Sequence, residues 1–389
     1  MTAGQIFASR RLANKLDRLL HDARAAWCAR FGPPLEIVSD APAVLERVSL
    51  RPPSRTVWEN PLEEAFYGPG EGRAVVEHPE ATLYRLANVF VTGSEGLLFA
   101  GPRTLLRFCA SQNDIAQKKM RRPIARLARR IDGAVLPLGG RGVGNRGHFL
   151  CEHLPRLMLA REHLGNELPF KVLVTPGHRD WQAEYLGRVG EDPNEVVEGS
   201  RGTVYCPQAW FVPNLSATER ADLYQPDVYR EIARRFKDGL APGGPKRRLF
   251  LTRRDAHSRR LHNEDEVYTL LRGVWPDLER ISLAGMHLRE QIALFLGARV
   301  VVGPHSQTFR NLLYCEGALS IQLVPGHRTA ANAYGIWADN YDRLGLIHAN
   351  RCLSLYGEEP YRDGDWSFPI DRLRSALRRL SDLGEVHGA

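Results

Sequence analysis

From residue 248 onward, short apolar runs alternate with segments of helical period, and this alternation is the strongest constraint on the fold. It predicts strands over 248–251, 279–283, 298–302 and 319–323, with helices over 264–271, 288–296 and 308–314 between them. Strands that must pass through a helix before the next strand begins pair in parallel, so a Rossmann-like sheet is expected. In such a sheet, ligands bind beyond the carboxyl ends of the strands.

The preceding half reads differently. Residues 5–30 have helical spacing, with Ile6, Leu12, Leu16, Leu19, Leu20, Ala23 and Trp27 recurring every three to four residues and Arg10, Arg11, Lys15, Arg18 and Arg24 over much of the rest. Such a helix packs on its own domain or rests on a membrane surface. The Pro-rich 31–55 reads as loop with one short strand near 35–38, and LYRLANVFV-GSEG-LLFAG reads as a β-hairpin. Residues 112–130 form a basic, polar surface stretch. A strand over 134–138 leads into the glycine-rich GGRGVGNRGH, followed by a helix over 149–164, strands over 171–175 and 204–213, and a helix over 217–238. APGGPKRR, at 241–248, is the best linker. The last helix, 370–383, carries Leu373, Leu377, Leu380 and Leu383 on one stripe.

Composition narrows the function classes. A chain of 389 residues with 43% hydrophobic content can bury the cores of two domains. No apolar run approaches the length of a membrane span, and no signal-type apolar segment opens the chain, so a cytoplasmic location is the expectation. The six cysteines are scattered without a CxxC pair, which suits free thiols better than zinc or a disulfide scaffold. The net charge of +8 is almost entirely arginine, whose planar fork suits phosphate. The arginines are spread along the chain and no nucleic-acid-binding module is present, so nucleic acid is not an expected partner.

Two strings after the linker carry chemistry. LFLTRRDAHSRRLHNEDE places Arg253, Arg254, Arg259 and Arg260 in a loop after a strand, where they can hold a diphosphate or form a solvated basic turn; Asn263 caps the following helix. In ARVVVGPHSQTFRNLLY, His305 and Ser306 stand at a strand's carboxyl end and Thr308 caps a helix whose N–H groups suit an anion. In the first half, His148, Glu152 and Arg156 fall on one helix face, as either a surface Glu–Arg pair or a proton-handling group. GGRGVGNRG has the wrong spacing for a dinucleotide fingerprint, so NAD is not expected.

These strings, LTRRDAHSRRLHNEDEV and then LREQIALFLGARVVVGPH, resemble the catalytic domain of glycosyltransferase family 61, which includes bacterial capsular-polysaccharide-type proteins, plant xylan-decorating enzymes and animal O-linked GlcNAc transferases. The resemblance covers about 246–325, with a fainter match in GNRGHFLCEHLPRL. It implies a GT-B-like α/β fold, two Rossmann-like domains facing a cleft, here with extra β-hairpins in the N-terminal half: an acceptor-side domain over 1–240, a nucleotide-sugar-binding domain over 246–360, and a C-terminal helix within 366–389 that returns to the first domain.

The resemblance also implies an inverting, metal-independent hexosyl or pentosyl transfer, without a cofactor, from a nucleotide sugar to a glycan or lipid-linked glycan in surface polysaccharide biosynthesis, at or near the inner face of the membrane. Donor binding falls to Arg253, Arg254, Arg259, Asn263, His305, Ser306 and Thr308, with Arg146 of the glycine-rich loop, where Arg141 also lies. Glu152 is the first candidate for general base, with His148 and His153 behind it. The sequence departs from the family pattern at Ser306-Gln307-Thr308, where small residues are usual, and at Gln322, where a glutamate is usual. The alternative is therefore a non-catalytic glycan- or nucleotide-binding member of the same fold.

Overall fold

The computed structural model describes residues 35–92, 96–109, 122–140, 142–165, 168–199, 202–214, 224–240, 246–328, 333–360 and 364–388. The basic helix read at 5–30, Arg141, and most of the basic stretch at 112–130 lie outside these. The protein is mixed α/β and divides into two compact units, residues 1–54 with 79–224, and 55–78 with 225–389.

Among the described residues, the first unit is built on a mixed ten-stranded sheet of β1 (Glu36–Val38), β2 (Val44–Arg51), β5 (Ala81–Thr92), β6 (Leu97–Phe99), β7 (Thr104–Leu106), β8 (Arg129–Arg130), β9 (Ala134–Pro137), β10 (Lys171–Val174), β11 (Val196–Glu198) and β12 (Thr203–Phe211), in the order β1-β7-β6-β5-β12-β9-β10-β11, with β2 also on β5 and β8 also on β12. Its long members are β2 (Val44–Arg51), β5 (Ala81–Thr92) and β12 (Thr203–Phe211). β5 turns back on β6 (Leu97–Phe99) as the expected hairpin, and β5 also pairs antiparallel with β2 and β12. Parallel pairing takes over beyond β12, where β9 (Ala134–Pro137) lies between β12 and β10 (Lys171–Val174) and β11 (Val196–Glu198) follows; β8 also joins β12 in parallel, and β1 joins β7 in parallel at the opposite edge. The expectation of a Rossmann-like sheet in this half thus gives way to a mixed one, with the long β5 flanked by antiparallel neighbours on both sides.

The second unit has the five-stranded parallel sheet that the alternation predicts. Its strands are β13 (Arg247–Leu251), β14 (Glu279–Ile281), β15 (Ala298–Pro304), β16 (Leu319–Val324) and β17 (Arg351–Tyr356), in the order β14-β13-β15-β16-β17. Every residue of β16 is buried, as a strand covered on both faces requires. Gly303 lets β15 approach β13 closely: a Cβ there would stand 2.5 Å from the Leu251 carbonyl oxygen. The chain order reverses between β13 and β15, which makes the crevice at their carboxyl ends the topological switch point.

Two features of this unit depart from the sequence reading. The last helix, Ile370–Asp382, buries Leu373, Ala376, Leu377 and Leu380 in the same core as Phe250, Val267 and Leu271, so its apolar stripe is satisfied within the second unit rather than on the N-terminal domain. Conversely, a segment from the N-terminal half joins this unit. β3 (Ser54–Glu59) and β4 (Arg73–His78) form a two-stranded sheet and flank α1 (Pro61–Tyr67). Leu62 enters the core, Asn60 Nδ2 donates to the Cys352 carbonyl at 2.9 Å, and Tyr67 Oη donates to the Ser354 carbonyl at 2.6 Å. One buried and one half-buried side-chain bond, with a core leucine, hold the insertion against β17. No helix among the described residues is long and apolar enough to cross a membrane.

Candidate active site

In the first unit the site grows from one irregular helix. Asn145 starts it by accepting from the backbone N–H of Gly147 at 2.8 Å and of His148 at 3.4 Å. Residues Phe149–His153 then form a π-helical turn before α2 (Leu154–Leu164) continues. Pro155 explains the wide turn: it has no N–H to give the carbonyl four residues back, so the ladder slips to the bond from Leu154 N to Phe149 O. His148 and Glu152 meet on this turn, His148 Nδ1 against Glu152 Oε1. Asn214 Nδ2 donates to the other carboxylate oxygen at 3.0 Å. The Glu152 side chain is only 6% exposed and the His148 side chain 27% exposed, so the imidazole is the member that solvent or substrate reaches.

The glycine-rich loop serves these rings. A Cβ at Gly142, whose φ of +71° already favours glycine, would lie 2.6 Å from His148 Cγ. Gly140 presses equally closely on His153. His153 is fully buried, and its Nδ1 accepts from Arg156 Nη1 at 3.3 Å, so it packs the turn rather than facing substrate. Arg156 does not pair with Glu152. It donates to the carbonyls of Val212 at 2.6 Å, Gly139 at 2.9 Å and Pro137 at 3.1 Å, with Phe211 under its guanidinium. Arg146 lies over the ring of Trp181, 5.8 Å from its centroid.

In the second unit the switch point gathers Arg253, Arg259 and His305. Arg253 Nε donates to the Arg259 carbonyl at 3.0 Å and Nη2 to the Ser258 carbonyl at 2.9 Å, which folds the arginine loop over β13. No carboxylate forms an ion pair with Arg253 among the described residues, and Arg253 feels the positive charge of Arg259. Burial and that neighbouring cation pull its proton affinity down, against the charges of Asp255, Asp365 and Glu264. His305 is buried, stacks on Tyr341 at 5.7 Å, and donates from Nδ1 to Gln322 Oε1 at 3.0 Å. Gln322 Nε2 in turn donates to Asp342 at 2.7 Å, and Asp342 accepts from Ser354 Oγ at 2.7 Å. Burial lowers the His305 pKa to about 4, the Gln322 bond opposes this, and Arg259 and Arg253 add to it. The imidazole is therefore neutral at pH 7, with its tautomer set by Gln322.

Other residues expected here have different partners. Arg254 pairs with Asp265 and Glu264. Asn263 makes no side-chain cap; its amide spans to the backbone of Phe368, donating at 2.8 Å and accepting at 3.0 Å. Glu264 ties the helix to β13 instead, accepting from Thr252 Oγ1 at 2.6 Å and from Arg253 N at 3.1 Å. Ser306 and Thr308 share a hydroxyl–hydroxyl bond at the start of a 3-10 helix, Gln307–Tyr314, where an α-helix was expected. Sequence reasoning missed Asn214 and Asp342. The position of Asn214 just past the end of β12 was the available signal; Asp342, inside α3 (Ala333–Leu346), gave none.

Residues 147–321 match the model of the glycosyltransferase 61 family. The matched segment contains His148, Glu152, Arg253, Arg259 and His305. The match supports a transferase of sugars, and it includes the N-terminal motif that the sequence resemblance carried only faintly. The chain matches no curated protein.

The neutral, buried His305 makes stability depend on pH in a known direction. Its folded pKa of about 4 lies below the unfolded value of 6.5, so the stabilisation is present above pH 6.5 and is lost as pH falls toward 4. The shift corresponds to about 3 kcal/mol. Urea titrations at pH 7 and pH 4.5 check this. His305→Gln should lose less stability between the two than the wild type does; equal losses would remove His305 as a contributor.

Proposed function

We propose that the protein transfers a sugar from a nucleotide sugar to a hydroxyl of a glycan or lipid-linked glycan acceptor, with inversion and without a metal ion, in surface polysaccharide assembly. The observation that carries this is the meeting of Arg253, Arg259 and a neutral His305 at the switch point of a parallel sheet, inside the family 61 segment. Arginine forks there would hold the donor diphosphate and stabilise the charge that builds on it as the glycosidic C–O bond breaks. His305 would offer an uncharged hydrogen bond to the donor. The His148–Glu152 pair would take the proton of the attacking acceptor hydroxyl, with Glu152 orienting the ring and stabilising the imidazolium that forms.

Calorimetry with UDP, GDP and CMP tests the donor site, followed by a screen of nucleotide sugars for hydrolysis or transfer. Arg253→Ala should weaken the preferred nucleotide about 10–100-fold, the worth of a charge-assisted contact. Unchanged affinity in that variant would move the site elsewhere. Binding without any turnover would favour the alternative that the Ser306–Thr308 departure motivates, a nucleotide- or glycan-binding member of the family.

A further inference from the structure

The glycine-rich loop lies against a third histidine ring. Gly140, Gly142 and Gly144 alternate along it, and the first two meet His153 and His148. A Cβ on Gly144 would stand 2.9 Å from His178 Nε2. Gly142 and Gly144 are two residues apart, so their Cα atoms lie within about 7 Å of each other. His148 and His178 therefore border one short stretch of loop in the first unit. His178 precedes the helix Arg179–Arg188, and Trp181 of that helix donates its indole N–H to His178 Nδ1 at 3.4 Å. The Phe149 ring meets the same indole edge to face at 5.2 Å. Arg146, which opens the short helix that His148 ends, lays its guanidinium over that indole. Arg146, His178 and Trp181 are all half-buried.

The donors of this group are unmet. Because Nδ1 of His178 accepts from Trp181, the proton of the neutral ring sits on Nε2. That N–H makes no hydrogen bond among the described residues. Beyond its place over the indole, Arg146 makes neither a hydrogen bond nor an ion pair among them. Nearby arginines are committed: Arg156 to three carbonyls, Arg161 to Glu191, and Arg179 to the carbonyls of Val196 and Pro193. Asp180, the acid in the first turn of the helix, is exposed and pairs with neither Arg146 nor His178. The side-chain nitrogens of Arg146 and Nε2 of His178 keep accessible surface, so a ligand can reach them.

A guanidinium with no counter-ion suits an anion, which its planar fork holds at two oxygens. The His178 N–H suits one further oxygen, and the indole between them offers apolar surface to the C–H groups of a sugar ring. An acidic sugar supplies all three. The group shares its loop with His148, and the inference rests on the reading of His148 as the base for the acceptor hydroxyl. We propose that Arg146 and His178 select an acceptor whose saccharide carries an acidic group, a carboxylate or a phosphate, held by Arg146 while a neighbouring hydroxyl oxygen accepts from His178 Nε2. Arg146 then serves the acceptor, and the donor diphosphate is left to the arginine loop of the second unit.

The test is calorimetric titration of the full chain at pH 7.5 with glucuronate and glucose 6-phosphate, and with glucose as their uncharged counterpart. One of the acidic sugars should bind with a Kd of about 1 mM or below, and glucose about tenfold more weakly or worse. The tighter of the two tells carboxylate from phosphate. Arg146→Ala should weaken the acidic sugar about tenfold and leave glucose unchanged, whereas His178→Phe should weaken both. Should Arg146→Ala fail to unfold cooperatively, Arg146→Gln takes its place with the same expected loss. Failure to bind either acidic sugar, equal affinity for glucose or for inorganic phosphate, or full affinity in the Arg146 variant overturns the assignment. So does a tenfold loss of UDP, GDP or CMP affinity in that variant, which would give Arg146 to the donor. A wild-type chain that binds no nucleotide would instead sink the donor reading, and the acidic-sugar titration still decides this one.

Discussion

Replacing His148 with alanine is expected to lower kcat by about 10²–10⁴-fold, the usual worth of a positioned general base, while nucleotide affinity stays within about twofold. The expectation rests on exposure and partnership together. Both oxygens of Glu152 have partners, one on His148 Nδ1 and one on Asn214 Nδ2, and its side chain is nearly closed off. A carboxylate so placed orients and charges its neighbour; it is poorly placed to meet an incoming hydroxyl. Glu152→Gln should therefore also reduce kcat, but by less, because the ring keeps a hydrogen-bonding partner and loses only the negative charge. Single-turnover assays with saturating donor, beside calorimetry on the same preparations, separate the chemical step from donor binding. Full activity in His148→Ala with a dead Glu152→Gln would reverse the two roles, and full activity in both would remove the pair from the mechanism.

The candidate donor site was largely legible in the sequence because its logic is local. A strand, then an arginine loop, and a second strand ending at His305 are both readable from composition and period, and parallel topology puts strand ends together. The roles of individual residues were less legible where partners are distant in the chain. Asn263 looks like a helix cap, yet its amide binds the backbone of Phe368, 105 residues away. Arg254 looks equivalent to Arg253, but Asp265 and Glu264 lie on its side of the loop. The glycine-rich loop showed its composition without its purpose, which is to let backbone lie against the rings of His148 and His153. The 55–78 segment gave no local sign that it belongs with β17, because a short helix between two short strands satisfies its own backbone anywhere. The C-terminal stripe was read correctly as apolar and assigned to the wrong core, since a leucine stripe specifies a partner surface without saying whose.

Arg156→Ala is expected to destabilise the protein by about 3–5 kcal/mol, the cost of stranding buried polar groups around a lost cation. The guanidinium is completely buried, and three carbonyl oxygens, of Pro137, Gly139 and Val212, depend on it. Burial itself pulls its proton affinity down, with the charge of Glu152 among the groups that oppose this. Lysine cannot span three carbonyls with one ammonium, so Arg156→Lys should recover only part of the loss. The position also links stability to the site. Gly139 precedes the glycine that packs on His153, and Val212 is two residues from Asn214, the donor to Glu152. Arg156 thus fixes both backbone segments that border the His148–Glu152 turn, and it acts on the reaction only through them. Urea unfolding measures the stability change, and kcat in the folded Arg156→Lys variant should fall while its nucleotide affinity, set by the arginine loop, holds. A stability loss under about 1 kcal/mol for Arg156→Ala would mean that water replaces the guanidinium at those carbonyls.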